Sequence, residues 1–319
     1  MPVRMDRLLR NRTYAVLVLS PVLLVTTVLV LPKQRPGQPS QNELVRQLAS
    51  ARWLMRAQAV GALQSLPVNA WKPPLRDAVI RAFGLEERRL RDKLEGKVPV
   101  SSYPEIGHEA FAEYYSALAG LVLQLHDPRV LPLIVDYTPS SDPRLTGYIA
   151  RRGKSALPLV IARLDRLGGS SDFASQQAML DTLTRLVLLN RAKKLRQPLS
   201  ASDLASIRAA AQPLLRDPNP WVATRAARTL AISGAVRDQH VVRATFDRLL
   251  EDPDHNRREI ALSAMSGLTD ARFLPMSDLE RIALSDDFRL RGPTATGRVG
   301  EYPLRRKAAQ ILKSAGKTR

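Results

Sequence analysis

Two stretches of this chain repeat one another at a fixed interval, and that interval constrains the fold more than any other feature. Asp217 to Gly234 reads DPNPWVATRAARTLAISG, and from Asp252 the chain reads DPDHNRREIALSAMSGL. Each copy opens on an Asp-Pro corner, and the two corners stand 35 residues apart. Val222, Ala226 and Leu230 of the first copy align with Arg257, Ala261 and Met265 of the second. That i, i+4, i+8 spacing puts the aligned residues along one side of a helix. A third, weaker copy opens at Asp287 and resumes with Leu304, Ala308 and Leu312 after an inserted loop. A helix pair of this length cannot shield its own apolar stripe, so a fixed period of this size predicts that successive pairs stack and share one linear core. The expected fold is all-α, an α-solenoid of antiparallel helix pairs over residues 42–319.

The same grammar extends upstream. Ser40 with Glu43 and Ser200 with Asp203 have capping-box spacing, as do Ser102 with Glu105 and Ser277 with Glu280. Met55, Ala59 and Leu63 repeat the small-apolar stripe, and Pro73-Pro74 suit a helix start ahead of Leu75, Val79 and Phe83. Residues 86–97, EERRLRDKLEGK, have few apolar positions and predict a solvated helix end with pairs such as Glu87 to Arg91. Asp127-Pro128 forms another corner, Ser170-Ser171 are the expected cap of a helix from Ala174 to Leu189, and Leu204, Ile207, Ala211 and Leu214 give the inward face of the helix after Ser200. Residues 286–302 hold Gly292-Pro293, Gly297 and Gly300, which cannot sustain a helix and predict a surface loop.

The N-terminus is of a different kind. Arg4, Arg7, Arg10 and Arg12 (residues 1–12) precede an uncharged run from Thr13 to Leu31. About 18 apolar residues at a 1.5 Å rise span roughly 27 Å, enough to cross a hydrocarbon core. The exit, VLVLPKQRPG, has no Ala-x-Ala-like site and the chain has no Cys for lipidation. An uncleaved transmembrane anchor is therefore expected, with a cleaved signal peptide as the alternative. Four Arg before the run against Lys33 and Arg35 after it place the N-terminus in the cytoplasm and the bulk of the chain on the extracytoplasmic, periplasmic side. Residues 32–41, PKQRPGQPSQ, form a Pro-rich linker.

Charge divides the chain in two. The net charge is +19, but residues 41–150 hold 13 Lys/Arg against 12 Asp/Glu, whereas residues 151–319 hold 30 against 17. A basic half suggests an anionic partner, although a surface drifting toward Arg has the same composition; only 10 of the 49 basic residues are Lys. The absence of Cys excludes disulfides, thiolate metal sites and a Cys nucleophile.

Gly153-Lys154 followed by Ala156-Leu157-Pro158, and the Asp corners of the repeated copies with Arg258 and Arg305 six or more residues on, resemble the HEAT-repeat family, in particular the short HEAT-like repeats of bacterial proteins. The family's "Val-Arg-x-x-Ala" helix is kept loosely: Ala223 replaces the Arg in the copy at Asp217, and Arg56 fits an earlier copy. The resemblance is clear over about residues 200 to 268. It implies structural roles for Asp217, Asp252 and Arg258, with Arg258 and Arg305 paired to corner aspartates of the next repeat. It also implies that the helix after each corner lines a concave face. Arg225, Arg228, Arg257, Arg305, Arg306 and Lys307 fall in such helices, and with Arg291 and Arg298 of the inserted loop they are the expected partner-binding residues.

Catalytic chemistry has no foothold in the sequence. His108, His126, His240 and His255 lack metal-ligand spacing, no H-E-x-x-H occurs, and His108-Glu109 is a lone His-Glu pair, so neither a metal nor any other cofactor is expected. No G-x-S-x-G or S-x-x-K nucleophile is present, and adjacent Asp286 and Asp287 read as a helix-end corner rather than an acid/base pair. The sequence thus points to a membrane-anchored, non-enzymatic scaffold. Its partner is expected to be a protein, with an anionic envelope polymer or lipid as a second candidate. The alternative, a nucleic-acid-binding HEAT-like protein or HEAT-like base-excision enzyme, would use Trp221 as its aromatic; no acidic companion set accompanies it, and nucleic acid is not the expected partner.

Overall fold

The computed structural model describes residues 39–94, 108–137, 143–170, 172–234, 236–290 and 300–316. The apolar run 13–31, the basic leader before it, most of the linker, the Ser102/Glu105 box, Arg291 and Arg298 lie outside the described residues. Among the described residues the protein is all-α, with fourteen α-helices and no strand. In chain order these are α1 (Gln41–Leu48), α2 (Trp53–Gln64), α3 (Pro73–Leu94), α4 (His108–Gln124), α5 (Val130–Tyr137), α6 (Pro143–Arg151) and α7 (Leu157–Arg166). They continue with α8 (Phe173–Arg191), α9 (Ala201–Ala211), α10 (Pro220–Ser233), α11 (Gln239–Leu250), α12 (His255–Met265), α13 (Met276–Ser285) and α14 (Pro303–Gly316).

The helices pack by a simple rule. Each odd helix lies against the even helix that follows it, from α1 on α2 to α13 on α14. Even helices also pack on even ones (α2 on α4, and separately α6 on α8, α8 on α10, α10 on α12 and α12 on α14), and α1, α3, α5, α7 and α9 pack in succession among the odd. One apolar cluster follows this seam from Leu44 to Ala315. Small residues let neighbours approach closely: α10 buries Val222, Ala223, Ala226, Ala227, Leu230 and Ala231. Thr184 of α8 and Thr229 of α10 share a buried hydrogen bond of 2.9 Å between them. Gly234 ends α10 at φ +78, a left-handed cap that a residue with a Cβ adopts only under strain.

The corners are built alike. The side chain of Asp217 accepts the N–H of Asn219 at 2.8 Å, and Asp252 accepts that of Asp254 at 2.9 Å. In the third copy the turn-forming carboxylate is Asp286, accepting from Phe288 N–H at 3.0 Å, one residue before the expected Asp287. An arginine braces the second and third of these turns, whereas Ala223 stands at the arginine's position after the Asp217 corner. Arg258 Nη1 donates to the carbonyls of Asp252 and Pro253 at 2.9 Å each, and its Nε donates to Asp286 at 2.9 Å. Arg56 repeats the pattern: Nη1 donates to Ser50 and Ala51 carbonyls at 2.8 and 3.0 Å, and Nε to Glu86 at 2.7 Å. Arg305, expected to reach a later aspartate, instead donates from Nε to the carbonyl of Asp286 at 2.6 Å. It is the same brace, made across the inserted loop.

Three local expectations are corrected. Glu86 and Glu87 are buried, so the start of the charged run in α3 is not a solvated helix end; Glu86 is the acid that Arg56 requires. The cap of α8 is Asp172, which accepts from Ser175 N–H, and not Ser170; Ser171 lies outside the described residues. The start of α13 has Pro275 at its cap, so the Ser277/Glu280 box does not form. Of the described boxes, Ser200 with Asp203 closes in both directions, and Ser40 accepts from Glu43 N–H.

Candidate functional site

Because both rows bury their inner sides, each even helix keeps one stripe for solvent. On α8 the turns between buried Thr182, Leu183 and Leu186 leave Asp181, Arg185 and Leu188 outward at i, i+4, i+7. The corresponding stripes are Arg144, Gly147 and Arg151 on α6, and Trp221, Arg225 and Arg228 on α10. On α12 they are Asn256, Glu259 and Ser263, and on α14 Lys307, Gln310 and Ser314. Contacts between successive helices join these stripes into a ladder. Arg225 Nε lies 3.4 Å from Asp181 Oδ1, linking α10 to α8. Lys307 donates to Ser263 Oγ at 2.7 Å and stands 3.5 Å from Glu259, linking α14 to α12. Arg185 reaches from α8 to α6, where a Cβ on Gly147 would stand 3.4 Å from its Nη1. Arg151 Nη1 lies 3.5 Å from that same point.

The residues expected from sequence fall into two groups. Arg225, Arg228 and Lys307 belong to the ladder. Arg228 also ties α10 to α12, its Nη1 donating to the carbonyls of Ala264 and Ser266 at the end of α12. Arg257, Arg305 and Arg306 are engaged locally. Arg257 pairs with Asp252 at 2.9 Å, and Arg306 with Glu301 at 3.0 Å. Arg305 stacks over Tyr302 at 4.1 Å while bracing the Asp286 corner. Asp217, Asp252 and Arg258 are corner residues, with Arg258 paired to Asp286. Sequence reasoning passed over Arg151, Asp181, Arg185 and Glu259. The legible signal was Gln177, Asp181 and Arg185, polar residues recurring at i, i+4, i+8 along α8.

Electrostatics along the ladder follow from partial burial. The Asp181 carboxyl is pushed above its ordinary range by loss of solvent, against the pull of Arg225 and Arg228. Arg228 is pulled down, first by burial and then by its neighbour Arg225. Arg225 Nε is buried and makes no hydrogen bond, an unsatisfied donor beside the exposed edge of α8. A second charged cluster lies inside the seam. Tyr114 of α4 donates to Glu86 at 3.2 Å, and burial followed by the Glu86 charge holds its phenol well above the usual range.

No group of three or more His, Asp or Glu able to hold a metal occurs among the described residues, and none of the described helices is long and apolar enough to cross a membrane. Comparison with known proteins finds no family model and no curated sequence that matches the chain.

Proposed function

We propose that residues 42–319 form a HEAT-like α-solenoid and that the chain is a membrane-tethered, non-enzymatic scaffold. Its docking surface is the exposed face of the even helices, read as the concave face of the solenoid. The apolar run 13–31 supplies the tether and places the solenoid on the extracytoplasmic side. The observation that carries this reading is the ladder: of five consecutive even helices, α6, α8, α10 and α14 present cations, one of them with an unmade hydrogen bond, and α12 presents Glu259 among them. Such a row offers electrostatic steering and many weak contacts rather than a reaction centre. A protein fits it better than a uniform polyanion, because Asp181 and Glu259 stand among the cations, and Glu259 is half exposed.

The test has two arms on the full-length chain. A reporter fused to the C-terminus is expected to be active only outside the cytoplasm; activity only inside overturns the tethered topology. Pull-down from membranes is expected to lose its specific partners with Arg225→Glu and Lys307→Glu, and to keep them with Arg46→Glu and Arg166→Glu on odd helices. Identical partners from both pairs would count against the even-helix face.

A further inference from the structure

Two rungs of the ladder neutralise themselves, and a third spends its cation, Arg228, on backbone carbonyls of α12. Arg225 has Asp181 across its rung, and Lys307 has Glu259. At the α6–α8 rung the residue opposite Arg185 is Gly147, buried and without a side chain. Arg151 and Arg185, both exposed, converge on that glycine from two helices. Neither has a hydrogen bond or ion pair among the described residues. Asp181, one turn away on α8, is drawn to Arg225 and Arg228 and not to Arg185. Two like charges thus face one point with no internal acid between them, an arrangement whose repulsion is relieved when an anion arrives.

We propose that this rung is completed from outside: a carboxylate on an acidic segment of a docked partner protein seats between the Arg151 and Arg185 guanidiniums, over Gly147. The proposal rests on reading the even-helix face as a docking surface. Planar guanidiniums present paired N–H donors that match carboxylate geometry, which Lys would not. Two features select a peptide over a phosphate chain. Leu188, 44% exposed and one turn beyond Arg185, offers an apolar contact for a neighbouring side chain. Asp181 on the other side of Arg185 would repel the next phosphate of a polyanion, whereas a peptide can place a neutral residue there.

The probe is a fluorescein-labelled peptide of alternating Glu and Leu, titrated by anisotropy at low salt against the full-length chain. Replacing both arginines (Arg151→Gln with Arg185→Gln) is expected to weaken binding roughly tenfold or more, since two charge-assisted contacts are lost. Gly147→Asp, which supplies the missing acid internally, is expected to weaken it as strongly. Arg46→Gln with Arg166→Gln, an exposed pair on odd helices, is expected to leave it unchanged. Circular dichroism checks that each variant folds; should Gly147→Asp unfold, the two exposed arginine substitutions still decide the matter. Equal losses from the control pair, undiminished binding to the Arg151/Arg185 variant, or no binding to the wild type would each overturn the proposal. So would displacement of the peptide by an oligonucleotide of equal charge at lower concentration than by unlabelled peptide. If Arg225→Gln with Lys307→Gln abolishes binding while the Arg151/Arg185 variant does not, the docking face survives and this rung is wrong; no effect from either pair sinks both.

Discussion

Arg56 and Arg258 stand about two hundred residues apart and do the same work. Each closes the preceding turn by donating to two of its carbonyls, and each reaches an acid in the second half of, or just past, the first helix of the next pair. The Arg56–Glu86 pair is the more deeply placed, with side chains 2% and 0% exposed. Burying two charges gains little over an apolar pair, but removing one partner leaves the other stranded. Arg56→Met is therefore expected to lose about 3–5 kcal/mol in urea unfolding, and Arg56→Met with Glu86→Leu to recover most of that loss. A double variant as unstable as the single one would show that the arginine acts through its carbonyl bonds alone. The sequence disclosed the two members of this pair unequally. Arg56 was visible as a loose match to the repeated arginine, because that position is fixed by a short local motif. Glu86 was hidden, because its partner lies 30 residues away and the three residues after it are all charged, which reads as a solvated surface.

At the scale of the element, helix starts were legible where the cap is a local side-chain contact and obscure where tertiary packing sets the boundary. Ser200 and Asp203 close their box. Ser277 and Glu280 have the same spacing, yet α13 begins at Met276 after Pro275, with Leu274 buried just before it. Asp254 caps α12 by accepting Asn256 N–H at 2.9 Å, so Asp254→Ala is expected to cost about 1 kcal/mol, measured by thermal melting. One side-chain contact between α11 and α13 is less favourable. Asp247 is pushed up to about 6 by loss of solvent, then by a hydrogen bond with Asp278 and its charge, with Glu251 adding to the effect and Arg243 opposing it. A carboxyl raised in the folded state binds its proton more tightly there than in the unfolded chain, whose value is about 3.9. Stability from this contact is thus fullest below about pH 4, falls as pH rises from there to 6, and is lost above it. Asp247→Asn is expected to gain about 1 kcal/mol at pH 7, a figure kept small because the site is partly open to solvent. The gain should shrink toward pH 4 when the two proteins are melted side by side; a difference independent of pH would assign the effect to packing instead.

Over the whole array, the contact rule sets where stability resides. α10 packs against α8, α9, α11 and α12, whereas α1 rests mainly on α2 and α3, and α14 on α12 and α13. The repeated copies were legible in the sequence because α10, α12 and α14 keep their small-apolar stripes against the helices packed on them. The ladder of outward side chains was only half legible, because a stripe's outward residues follow no motif and are identified by what the next helix brings beside them. Gly147 illustrates the point: its meaning depends on Arg185, which no local pattern connects to it. When each pair is held chiefly by its neighbours, unfolding begins at the ends and the interior opens last. Native-state hydrogen exchange is therefore expected to show the slowest amides in α8 and α10, around the buried Thr184–Thr229 contact, with faster exchange in α1 and α14. Thr229→Val, which leaves Thr184 without that partner, is expected to cost about 1–2 kcal/mol. It should raise exchange in α8 and α10 together while leaving α1 and α2 unchanged. Uniform acceleration along the chain would instead mean that the helices unfold as a single cooperative body, and the neighbour-by-neighbour account of this fold would fail.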